Sequence, residues 1–221
     1  ITHLTFGCNF NQPINIPNSV THLTFGITFN QPINIPNSVA HLTFGTMFNQ
    51  PINIPNSVTH LTLGYIFNQP INIPDTKKIP KESFCNYTLI LKESEWYSVT
   101  HLTFGFNFNQ IIDIPSNVTH LKFDFKFNQP INLSNSIGIA HLKFGFNFKG
   151  KKLQKQLLTH MVRGDLFPNL NQQINLPNSV THLKFGNNFD QPINIPNSVT
   201  HLEFGFSFDQ QISLPDGVTN V

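Results

Sequence analysis

A single nineteen-residue phrase governs this chain. The string THLTFGITFNQPINIPNSV, from Thr21 to Val39, recurs with few changes along the whole sequence. Its histidine sets the register. His3, His22, His41 and His60 are 19 apart, and His101, His120, His141, His160, His182 and His201 follow at intervals of 41, 19, 21, 19, 22 and 19. These ten are all the histidines of the chain. Self-similarity at a short fixed period marks a stacked-repeat architecture, whose units are too small to bury their own apolar faces. The 41-residue interval parses as one 19- and one 22-residue unit, which predicts a winding there that has lost its signature. Thr219-Asn220-Val221 reads as the start of a further unit. The expectation is a single solenoid over 1–221 of about eleven windings, nine of them recognisable.

Within one unit, numbered from its histidine as zero, apolar residues fall at +1, +3, +7, +11, +13 and +17: Leu23, Phe25, Phe29, Ile33, Ile35 and Val39. The alternation around +1 and +3 has a period of two, so His-Leu-Thr-Phe-Gly predicts a short strand. Pro32 and Pro36 forbid a helix on the way back and push Gln31 and Ile35 toward extended backbone. Each unit is therefore expected to trace one strand, a turn at Gly26, an extended proline-rich return and a second turn at Asn37-Ser38. Successive strands would lie ~4.8 Å apart in a parallel sheet.

Composition removes other readings. Charged residues make up 11% of the chain, and 13 Lys and Arg against 11 Asp and Glu leave a net charge of +2, which does not suit a general nucleic-acid or membrane-surface binder. No apolar run approaches the ~20 residues of a membrane-spanning helix. Two cysteines, Cys8 and Cys85, are too few to staple the fold, so a reducing, cytoplasmic setting is expected. The chain opens on Ile1 rather than Met, as a piece of a longer protein would.

The block Phe29-Asn30-Gln31-Pro32-Ile33-Asn34-Ile35-Pro36 resembles the FNIP repeat, and the likeness recurs around Phe10, Phe48, Phe67, Phe108, Phe127, Phe189 and Phe208. That family is leucine-rich-repeat-like and is found in social amoebae and giant viruses. The resemblance implies a mainly-β, LRR-like solenoid used for protein interaction. In several members such arrays follow an F-box and act as substrate receptors of a ubiquitin ligase, a role this chain would inherit only if an F-box precedes it. The family has no catalytic residues to carry over. Two stretches, 75–98 and 149–170, depart from the pattern and are expected to be drifted windings or insertions.

The remaining signal lies in the columns that stacking would create. Histidines at 0 and residues at +2 would face outward. A one-dimensional column offers an ion two neighbouring ligands at most, so no metal site is expected, and the imidazoles are expected to hydrogen-bond one another along the ladder. Asparagines at +8 (Asn11, Asn30, Asn49, Asn68, Asn109, Asn128) would bond each other or cap turn backbone groups, with Asp190 and Asp209 replacing them in a turn that admits water. Two columns vary. Position +2 runs Thr5, Thr24, Thr43, Thr62, Thr103, then Lys122, Lys143, Val162, Lys184 and Glu203. Position +5 runs from Cys8, Ile27, Thr46 and Tyr65 to Phe106, Phe125 and Phe146, then Asp165, Asn187 and Phe206. Phe106, Phe125 and Phe146 with Lys122, Lys126 and Lys143 are the candidate partner-binding residues, since clustered aromatics beside cations resemble interaction hot spots. No phosphate loop, nucleophile elbow or recurring acid pair occurs, so neither an enzyme nor a cofactor is expected. The expected partner is a protein. The alternative is a structural rod that self-assembles end to end through uncapped terminal windings.

Overall fold

The computed structural model describes residues 1–73, 99–133, 136–149 and 174–219. Nine three-residue strands run His3–Thr5 (β1), His22–Thr24 (β2), His41–Thr43 (β3), His60–Thr62 (β4), His101–Thr103 (β5), His120–Lys122 (β6), His141–Lys143 (β7), His182–Lys184 (β8) and His201–Glu203 (β9). They pair parallel, in chain order, into one sheet, and each histidine lies opposite the next. The mainly-β LRR-like solenoid read from the sequence is the observed architecture.

β4 pairs directly with β5, His60 against His101, and β7 directly with β8, His141 against His182. Among the described residues nine strands make up the sheet, and the further winding expected within each 41-residue span falls on residues outside those described. The irregular stretches 75–98 and 149–170, Lys149 apart, lie outside the described residues.

Two tight turns recur in the windings among the described residues. The amide of Phe10 donates to the carbonyl of Gly7 (3.1 Å) and that of Val20 to the carbonyl of Pro17 (3.1 Å), and the pattern repeats upward. The first turn thus has the glycine at its opening corner, and its two exposed central positions are +5 and +6, one step beyond the glycine itself. Between the turns the +1, +3, +7 and +17 side chains point inward. Leu23, Phe25, Phe29 and Val39 are all at most 2% exposed, and the same columns are buried through Leu183, Phe185, Phe189 and Val199. The return side closes less tightly: Ile33, Ile35 and Ile71 are only partly buried, while Ile54, Ile73 and Ile114 are buried.

Equivalent side chains measure the spacing between windings at different depths. Imidazole centroids are 4.1–4.3 Å apart, the +3 phenyl rings 5.1–6.0 Å and the +7 phenyl rings 6.0–6.3 Å. The windings therefore fan about an axis on the histidine side, and the strand face is the inner face of an arc. An open trough of about 540 Å³ runs along it from His101 to Glu203.

The glycine column is the closest approach in the stack. A Cβ built on Gly45 would land on the carbonyl oxygen and carbon of Gly26, and one on Gly64 would meet Gly45 in the same way, backbone against backbone. Asp124 is the departure from this column among the described residues, and its Oδ1 accepts the amide of Phe125 (2.8 Å). In the first winding Gly7 has open space instead. Gly45→Ala is expected to destabilise the protein by about 1–3 kcal/mol, the range for overpacking. Gly7→Ala should stay within about 0.5 kcal/mol. Urea midpoints check both, and equal effects would show that the close approach does not limit stacking.

Candidate functional site

Two regular ladders hold the inner face and its edge in place. The first is the histidine column. Its rings stack face to face with interplanar angles of 7–20° rather than joining edge to edge, so the expected imidazole-to-imidazole hydrogen bonds are replaced by stacking. A second contact comes from one residue earlier. The hydroxyl of Thr119 sits 2.9 Å from Nδ1 of His120 and 3.2 Å from the carbonyl oxygen of Thr100 in the winding below. Thr21, Thr59, Thr100, Thr181 and Thr200 repeat this bridge. The inner ring nitrogen is thus engaged by its own threonine, and Nε2 is left to face the trough. Ala40 and Ala140 stand in place of threonine before His41 and His141.

This geometry bears on metal binding. Parallel rings aim their in-plane lone pairs along parallel lines about 4 Å apart, which do not converge on an ion that needs nitrogens at roughly 2 Å. Among the described residues no three His, Cys, Asp or Glu side chains gather into a metal-holding group.

The second ladder is the asparagine column. Each Oδ1 accepts the backbone amide of the equivalent residue in the next winding: Asn30 on Asn11, Asn49 on Asn30, Asn109 on Asn68 and Asn128 on Asn109, each at 2.9 Å. Of the two expectations for this column, capping of turn backbone is the one observed. A carboxylate can accept in the same way: Asp190 Oδ1 takes the amide of Asp209 (3.1 Å) and the side-chain amide of Gln210 (2.8 Å). The Gln210 bond, then the Asp209 bond, holds the Asp190 carboxyl below its ordinary value, and Asp209 is exposed.

The variable residues sit on this frame. Lys122 and Lys143, at the end of their strands, are exposed in the trough, and Lys184 is paired with Glu203. Lys126 and the +5 residues lie on the exposed turn. There Phe106, Phe125 and Phe146 stack on one another at 4.5 and 4.8 Å, as a column of successive corners must. Phe146 is 40% exposed, and Phe106 and Phe125 are half-buried. All six sequence-selected residues therefore fall within β5–β7 and the turns after them.

The stack has a fourth member, already in the +5 column of the sequence but separated there from Phe106 by the 41-residue interval. Tyr65, 48% exposed, packs on Phe106 at 4.5 Å, because β4 meets β5 directly across the 41-residue span. Four contiguous aromatic corners result. Phe206 is 95% exposed but stands apart, since Asn187 precedes it in the column.

Acid should weaken the array. Burial, and then the neighbouring imidazoles, hold His22, His60, His120, His141 and His182 below the ordinary imidazole value. The unfolded chain then binds more protons than the folded one below about pH 6.5. Stability is full above that pH and falls as pH drops through the lowered folded values. Unfolding free energy is expected to be smaller at pH 5 than at pH 7.5, and equal values would contradict the ladder's part in stability.

The FNIP Repeat profile matches residues 1–27, 10–47, 29–65, 48–79, 97–123, 108–147, 171–207 and 194–221. The chain is similar over 99% of its length to CroV588, a giant-virus protein whose crystal structure is described as a novel circular LRR protein structure, with a TM-score of 0.64 and 35% identity. It spans 32% of that chain's length. No curated protein matches it. With its profile recurring along most of the sequence and its windings stacked in register, the chain belongs to the FNIP repeat family.

Proposed function

We propose that this solenoid is a partner-recognition arc, which binds another protein along the strand face and aromatic edge of β5–β7. The observation that carries the reading is the stack Tyr65–Phe106–Phe125–Phe146, exposed at its two ends and half-buried between, beside Lys122, Lys126 and Lys143. Aromatic side chains beside cations on a rigid support are the composition of interface hot spots, and solvent alone gives no reason to line them up. The scaffold is pre-ordered, so little conformational entropy is lost when a partner docks.

In cellular terms the arc would be the substrate-recognition part of an F-box-type ubiquitin-ligase adaptor, in a longer chain that carries an F-box. The exposed free thiol of Cys8 is compatible with a reducing cytoplasm for such an adaptor. No helix among the described residues is long and apolar enough to cross a membrane. Self-association is the alternative. It would draw on exposed apolar side chains such as Phe206.

Affinity capture from a host-cell lysate tests the reading, with the protein compared against Phe106→Ser, Phe125→Ser and Phe146→Ser combined. The combined variant should keep its β-sheet circular dichroism and lose the captured partner. Equal recovery by both proteins would remove β5–β7 as the site. Recovery of the chain itself as the main captured species would favour end-to-end assembly.

A further inference from the structure

The chemistry of the partner can be taken one step further, on the reading that β5–β7 and their turns are the docking surface. Three ammonium groups stand there: Lys122, Lys126 and Lys143, all exposed. The facing charges are few. Lys184, the next member of the strand column, is paired with Glu203, and Asp124 turns its Oδ1 to the amide of Phe125. Lys126 lies 5.9 Å from the centroid of the Phe106 ring, near the outer limit for attraction to a ring face.

Both faces of that ring are already covered, by Tyr65 and by Phe125. The same holds along the ladder: Phe125 is sandwiched between Phe106 and Phe146. What the inner members of the stack offer to solvent is therefore ring edge. An aromatic quadrupole is negative over its faces and positive around its rim. Exposed edges and ammonium groups thus have the same sign, and together they make a patch that is apolar in substance and positive in potential. The geometry points to an acidic polypeptide segment as its occupant, one with aliphatic side chains between its carboxylates. Carboxylates would meet the lysines and the ring rims, and the aliphatic groups would cover the stacked edges.

A single-stranded nucleic acid is the other polyanion to weigh, and the same geometry disfavours it. Base stacking needs free aromatic faces, and here the rings of Phe106 and Phe125 have spent theirs on each other and their neighbours. Three lysines with Asp124 among them would also neutralise few phosphates.

Fluorescence anisotropy on the whole chain tests this, with three labelled probes: a peptide alternating Glu and Leu, its counterpart with Gln for Glu, and an oligothymidylate. The Glu peptide should bind in a salt-sensitive manner and the Gln peptide should not. Lys122→Gln with Lys143→Gln should weaken Glu-peptide binding by about tenfold, as two exposed charge contacts would. Thr5→Glu with Thr24→Glu lowers the net charge equally at the far end of the same column and should change binding by less than about twofold. Equal binding of the Glu and Gln peptides would overturn the proposal. So would equal losses in the two double variants, or tighter binding of oligothymidylate than of the Glu peptide. Failure here together with Phe-dependent capture from lysate would discard the acidic partner and leave the docking surface standing; loss of both would discard the surface itself.

Discussion

Everything in this molecule depends on one winding lying on the next in exact register, because no winding closes its own interior. A unit of nineteen residues cannot enclose the six apolar side chains it carries. It seals them only when the winding above and the winding below cover them. Register is therefore enforced at several depths at once. The backbone approaches most closely at the glycine column, the phenyl columns interleave behind it, and the asparagine side chains cap amides one level up. A slip of a single residue would bring a side chain against the Gly26 carbonyl and remove Phe25 from the core together. The constraint is collective, which is why these columns repeat with so little variation along this one sequence.

That repetition also explains how much could be read beforehand. The strand, its inward Leu and Phe, the extended return and the outward histidine were all legible, because each is fixed by local sterics and a period of two. Three features were not. The turn falls after the glycine rather than on it, since Gly7 supplies the accepting carbonyl and the two following residues make the corner. The imidazoles stack instead of bonding to one another, and where a threonine precedes the histidine its hydroxyl, not the next imidazole, is the partner of Nδ1. The third concerns distance along the chain. Pairing of β4 with β5 sets Tyr65 on Phe106, forty-one positions away, and no spacing argument distinguishes that from a further winding in between.

The same division separates architecture from recognition. Columns that fill the interior or hold a ladder are uniform, whereas +2 and +5, which do neither along the whole stack, range from threonine to lysine and from cysteine to phenylalanine. Selection on the interior leaves those positions free. The candidate site was visible in the sequence as variation against a constant background, and its extent was visible only once the strands were seen to pair.

The graded spacing between equivalent rings, tight at the imidazoles and wide at the +7 phenyls, has one further consequence. The bend belongs to the cassette and not to the array. Duplicating a block of nineteen codons would extend the arc along the same circle, with neither radius nor hollow altered, so a gene of this kind can grow in reach while keeping the shape its partners grip.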